Sequence, residues 1–137
     1  MLPGSTPGFT AAVGYEPGVC NIGSAEIARR RMFGHVALVI SFIVMAVLMA
    51  SGAPHWTRLV LVVTVGGSAS GYLQARLHFC AGFGSEGVYN FGAVGNVERV
   101  GDAAARLRDR RRAREILLAS LAIGLVFGIS AALLPIA

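Results

Sequence analysis

The sequence predicts an all-α membrane protein: three transmembrane helices, a cytoplasmic loop rich in glycine and aromatics, and a basic amphipathic helix. Three observations lead there. Hydrophobic residues make up 55% of the chain and charged residues 14%, against about 25% charged in soluble domains. The apolar residues gather in three runs of roughly membrane length. The 12 Lys/Arg positions are all arginine and cluster beside those runs. A chain of 137 residues makes one domain.

Residues 1–23 contain Pro3, Pro7, Pro17 and frequent glycine, and read as an irregular cytoplasmic arm. Phe9, Tyr15, Val19 and Ile22 are available to anchor it on a neighbour. The arm has no basic residue and no apolar run, so no signal peptide is expected, and Cys20 does not fit a lipoprotein cysteine.

The first helix is expected over residues 24–51. Glu26 falls in its first turn, where a carboxylate suits the helix dipole, and can pair with Arg29 or Arg30. The apolar run of residues 32–50 measures about 28 Å at 1.5 Å per residue, one hydrocarbon thickness. A turn around Pro54 leads to Trp56, an interfacial aromatic, and to a second span over residues 56–74. Residues 75–96 form the glycine/aromatic loop. Asn96 is the expected N-cap of an amphipathic helix over residues 97–114, with Glu98 in its first turn. Its apolar stripe would be Val97, Val100, Ala104 and Leu107. That helix lies on the membrane surface or extends the third span, residues 115–135.

Arginine placement sets the expected topology. Arg29, Arg30 and Arg31 precede the first span, and eight more arginines lie between Arg76 and Arg114. Only Arg58 lies in the short loop. The positive-inside rule then puts the N-terminus and long loop in the cytoplasm and the C-terminus outside, in a cell membrane of the bacterial inner-membrane type. The pI of about 10.2 has the same origin. Nucleic acid is not the expected partner, because no basic-plus-aromatic recognition motif accompanies the charge.

Small residues mark the expected helix contacts. Gly67 and Gly71 form a GxxxG pair, and Ser120, Gly124, Gly128 and Ala132 recur every fourth position. Such ribbons let helix backbones touch in lipid. The spans hold no Asp, Glu, Lys or Arg away from their ends, which argues against a self-contained transporter. Gly82-Phe-Gly84-Ser-Glu-Gly87 spells G-x-G-x-x-G but follows an apolar helix rather than a strand, so it is read as turns. No nucleophile with a base and no paired carboxylates are visible.

Three functions are consistent with these residues. The leading one is an accessory or structural subunit whose partners are membrane lipids and other membrane subunits or copies of itself. The second is a metal or thiol-redox protein using Cys20, His78 and Cys80, or a haem protein using His35 and His78; the cofactor is not identified. The third is an anionic-lipid-binding protein acting through Arg29, Arg30, Arg31, Arg110, Arg111 and Arg112.

Overall fold

The computed structural model of the chain describes residues 14–135. Its elements are α1 (Ser24–Ala50), a 3-10 turn (His55–Val60), α2 (Leu61–Leu77), α3 (Ala81–Glu86), β1 (Val88–Tyr89), β2 (Glu98–Arg99) and α4 (Ala103–Leu133). The protein is mostly helical, and α1 and α4 are long and apolar enough to cross a membrane, with mean hydropathies of 2.4 and 2.5.

α1 starts after Gly23, whose backbone is extended. Glu26 in its first turn pairs with Arg30 at 3.1 Å. α1 ends in a Schellman arrangement: Gly52 takes φ +66°, its N–H donates to Met49 O, and the Ala53 N–H donates to Leu48 O. Pro54 then permits only a 3-10 turn before α2, because its carbonyl takes both the N–H and the hydroxyl of Thr57. The expected helix of residues 56–74 is thus divided, and its α-helical part runs on to Leu77. From that turn the buried Arg58 reaches α4 and donates to Ala131 O (3.1 Å) and Leu134 O (3.2 Å), satisfying carbonyls that the helix end leaves open.

α2 lies between α1 and α4 and packs along both. On one side a Cβ at Gly71 would lie 2.6 Å from Gly34 N, so the backbones of α1 and α2 touch, and Ser68 Oγ donates to Gly34 O at 2.9 Å. On the other side Gly124 sits against the Val62 carbonyl and Gly66, and Gly128 against Val62. Ser120 is buried on the same face.

The expected GxxxG pair needs correction. Gly66, not Gly67, meets α4, while Gly71 meets α1. One residue is a turn of about 100° on a helix, so Gly67 falls outside both contacts and is exposed. The fourth-residue ribbon of α4 is corrected at its end. Ala131 is buried and Ala132 only half-buried, because four-residue steps drift about 40° each and a step of three brings the helix back to face its neighbour.

The expected helix of residues 97–114 begins later and buries a different face. Glu98–Arg99 pairs antiparallel with Val88–Tyr89, the Tyr89 hydroxyl donates to Glu98 Oε2, and Val100 N–H donates to Gly87 O. These bonds hold residues 98–100 extended. Asp102 rather than Asn96 caps the helix, accepting from Ala105 N–H at 3.2 Å. Of the expected stripe only Val100 is buried; Val97, Ala104 and Leu107 are exposed. The buried face is Ala105, Asp109, Ala113 and Ile116, and the helix continues unbroken to Leu133.

At one end of the helices lies a cap made by residues 14–23 of the arm, α3, the β-pair and the start of α4. One apolar cluster joins Tyr15, Tyr89, Val100 and Ala105, with Phe91 against it. The other joins Phe79, Ala81, Ala113 and Ile116.

Candidate functional site

The cap is fastened by buried polar side chains, and its geometry starts in the arm. Glu16 and Cys20 exchange backbone hydrogen bonds at 2.9 Å around Gly18, closing a tight turn. The chain then runs beside residue 90 in a parallel bridge between Ile22 and Asn90. Gly23 lets it pass: a Cβ there would lie 2.9 Å from Phe91 Cα.

Asn21 is fully buried and closes a two-way bond with Cys80. Its Oδ1 accepts from Cys80 N–H at 2.6 Å, and its Nδ2 donates to Cys80 O at 3.1 Å. Its backbone N–H donates to His78 O, and its carbonyl accepts from Asn90 N–H. The equally buried Asn90 donates to Glu26 Oε1 (3.3 Å) and Ala93 O (2.8 Å), and its Oδ1 accepts from Gly92 N–H. Glu26, Arg30 and Cys80 continue this network, since Arg30 donates to Cys80 Sγ at 2.9 Å while pairing with Glu26.

A second fastening joins the arm to α4. The Tyr15 hydroxyl donates to Asp109 Oδ2 at 2.6 Å and the Gly18 N–H donates to Oδ1 at 2.7 Å. Burial raises the Asp109 carboxyl above the ordinary aspartate value, while these two donors pull it down. Burial, then Asp109, raises the Tyr15 phenol. Tyr89 stacks on Tyr15 at 4.8 Å and is itself raised, by burial and by Glu98.

The residues expected to bind a cofactor have other partners. The Cys20 thiol is directed at Ile22 O (3.8 Å) and is raised chiefly by burial. The Cys80 thiol accepts from Arg30 and, at 3.5 Å, from Phe83 N–H at the start of α3. Both cysteines are free thiols. His78 occupies a left-handed position after α2, with φ +55°, and is exposed. Among the described residues no three His, Cys, Asp or Glu side chains gather to hold a metal ion. His35 lies apart on α1, with Nδ1 2.5 Å from the Tyr72 hydroxyl.

The basic residues divide similarly. Arg31 is exposed, and Arg111 and Arg112 pair with Glu115. Arg110 lines a 400 Å³ cavity with Arg99 and Arg106. Arg29 lies over the Phe33 ring at 5.6 Å and, with Arg30, rims a 440 Å³ cleft between α1 and α2. A larger, apolar cleft of 470 Å³ opens between α1 and α4, with α2 as its floor.

Asn21, Asn90 and Asp109 are the residues that sequence reasoning missed. One signal could have found the first two. Cys20-Asn21-Ile22-Gly23 and Tyr89-Asn90-Phe91-Gly92 share the pattern x-Asn-apolar-Gly, and these are the two segments that pair. Comparison with protein-family models, with characterised proteins and with solved structures returns no match.

Proposed function

We propose that the chain is a small integral membrane protein that serves as an accessory or structural subunit, with a further membrane helix as its partner. In this reading α1, the 3-10 turn with α2, and α4 are three spans. Arginine placement puts the cap in the cytoplasm and the end of α4 outside.

The observation that supports it most is the cleft over α2. α1 and α4 pack on α2 rather than along each other, and the gap between them is walled by Leu38, Phe42, Ile123 and Phe127. Its floor includes Val65 and Ala69. An apolar groove with Ser68 and Ala69 in its floor suits a helix from a second copy or another subunit, whose contacts in lipid are van der Waals packing. The polar side chains point the same way, because Asn21, Asn90, Glu26, Arg30 and Asp109 are all engaged in fastening the cap.

Cross-linking and native-gel migration of the protein extracted in a gentle detergent test the reading. An assembly larger than the single chain is expected, and Ala69→Trp, which fills the cleft floor, should dissolve it with the helical signal intact. A wild-type chain that runs as a monomer from native membranes would overturn the reading.

A further inference from the structure

The 440 Å³ cleft between α1 and α2 is distinct from the one over α2 and differs in chemistry. Arg29 and Arg30 stand at its mouth. Arg30 is held by Glu26 and Cys80, so its charge is fixed in place and largely balanced. Arg29 is exposed, faces the Phe33 ring, and pairs with no carboxylate of the described residues. The carboxylate nearest this mouth, Glu26, is fully buried and turned to Arg30 and Asn90. The mouth therefore carries uncompensated positive charge.

Below the mouth the cleft changes character. Ala37, Gly67 and Gly71 line it, and a Cβ added at Gly67 would meet nothing within 4 Å. The glycine that joins neither helix contact thus keeps a notch open. Ser70 and Gln74 also line the cleft, and their polar groups are engaged with each other and with Ala81: Gln74 donates to Ser70 and accepts from Ala81 N–H.

We infer that this cleft binds an anionic phospholipid, with the phosphodiester against Arg29 at the mouth and the start of an acyl chain in the notch at Gly67. The inference rests on the reading of α1 and α2 as spans with Arg29 at the cytoplasmic leaflet. The charge at the mouth selects an anionic headgroup. The apolar notch selects a lipid over a soluble phosphate, which would leave that surface unfilled. The arginine rim meets the apolar run of residues 32–50 at the depth where headgroups give way to acyl chains.

Delipidated full-length protein in neutral detergent, titrated with phosphatidylglycerol or phosphatidylcholine and read by native mass spectrometry, tests the site. One phosphatidylglycerol should be retained in preference to phosphatidylcholine. Arg29→Gln should weaken that binding about fivefold, the worth of one arginine near an anionic surface. Gly67→Leu should weaken it at least as much with unchanged thermal stability, and Arg31→Gln, outside the cleft, should leave it unchanged. Equal loss from Arg29→Gln and Arg31→Gln, or no loss from Gly67→Leu, would reduce the effect to diffuse surface charge and overturn the site. Displacement of the lipid by millimolar inorganic phosphate would overturn the choice of a lipid. Flotation of the protein with liposomes and its resistance to alkaline extraction report the span reading separately. Firm insertion without selective retention defeats the site alone; failure to insert defeats both.

Discussion

The Tyr15 hydroxyl donates to Asp109 at 2.6 Å across 94 positions of sequence, and the Gly18 N–H holds the other carboxylate oxygen. The bond fastens an irregular arm to the rigid start of α4. Tyr15→Phe keeps the ring stack on Tyr89 and removes only the hydroxyl, leaving a buried carboxylate one donor short. The expected cost is about 1–3 kcal/mol, since an unsatisfied buried acceptor retains its desolvation penalty. Hydrogen exchange should rise at Gly18, whose N–H is held by Asp109, and at Cys20, whose N–H is held by the Glu16 carbonyl. Unchanged exchange would show that the stack alone holds the arm.

The same bond predicts an alkaline transition. Tyr15 has a folded-state pKa raised above its ordinary value of 10.0. A raised group contributes stability that is fully present below the unfolded value and lost as pH rises through the folded one. The arm should therefore stay docked up to about pH 10 and loosen above it. Ultraviolet difference titration should show tyrosinate appearing together with the exchange of arm amides. Asp109 is also raised, so its contribution is present at acid pH and diminishes as pH rises; mild acidification should not release the arm.

Asn21→Asp tests the clamp on Cys80. The variant keeps an oxygen for the Cys80 N–H, but it replaces the donor to Cys80 O with a second acceptor and buries a charge. A loss of about 3 kcal/mol or more is expected, as for other unpaired buried charges. Protection should fall at Cys80, Asn90 and Gly23 together, because their backbone and side-chain bonds share Asn21 and Asn90.

Two glycines separate contact from open surface. Gly124→Ala would drive a methyl into the Val62 carbonyl, costing about 1–3 kcal/mol by overpacking. Gly67→Ala meets nothing and should leave stability unchanged or raise it by up to about 1 kcal/mol through helix propensity. Thermal unfolding followed by circular dichroism in one detergent compares them directly. Equal losses would contradict the assignment of faces on α2.

Hydropathy made α1 and the apolar part of α4 legible, whereas α3 falls on Gly82 and Gly84, which read as turns; Glu26 in a first turn, with Arg29 or Arg30 as its expected partner, pairs with Arg30. The cap was legible only in outline. Asp109 sits on the buried face of α4 among Ala105, Ala113 and Ile116, so a hydrophobic pattern counts it as solvent-facing and shifts the stripe to Val97, Ala104 and Leu107. Its reason for being inside is Tyr15, a partner that no local window contains. Asn96 looked like a cap because Asn favours that position, but the bonds of residues 98–100 to β1 and Gly87 delay the helix to Asp102. Cys20, His78 and Cys80 suggested a metal because their types suit one. Asn21 uses the backbone of the same segments, and the Cys80 thiol goes to Arg30.

α4 runs 31 residues without interruption, about 46 Å at 1.5 Å per residue. Gly124, against α2, and Asp109, held by the arm, are separated by about 22 Å of that rod, and Ala113, Ile116 and Gly128 pack along it as well. A tilt of about 10° about the Gly124 contact would carry Asp109 by about 4 Å, further than a hydrogen bond can stretch. If α4 spans a bilayer as proposed, the Tyr15 latch is expected to behave as a strain gauge, with a tilt imposed on the rod read at its far end as the arm coming loose.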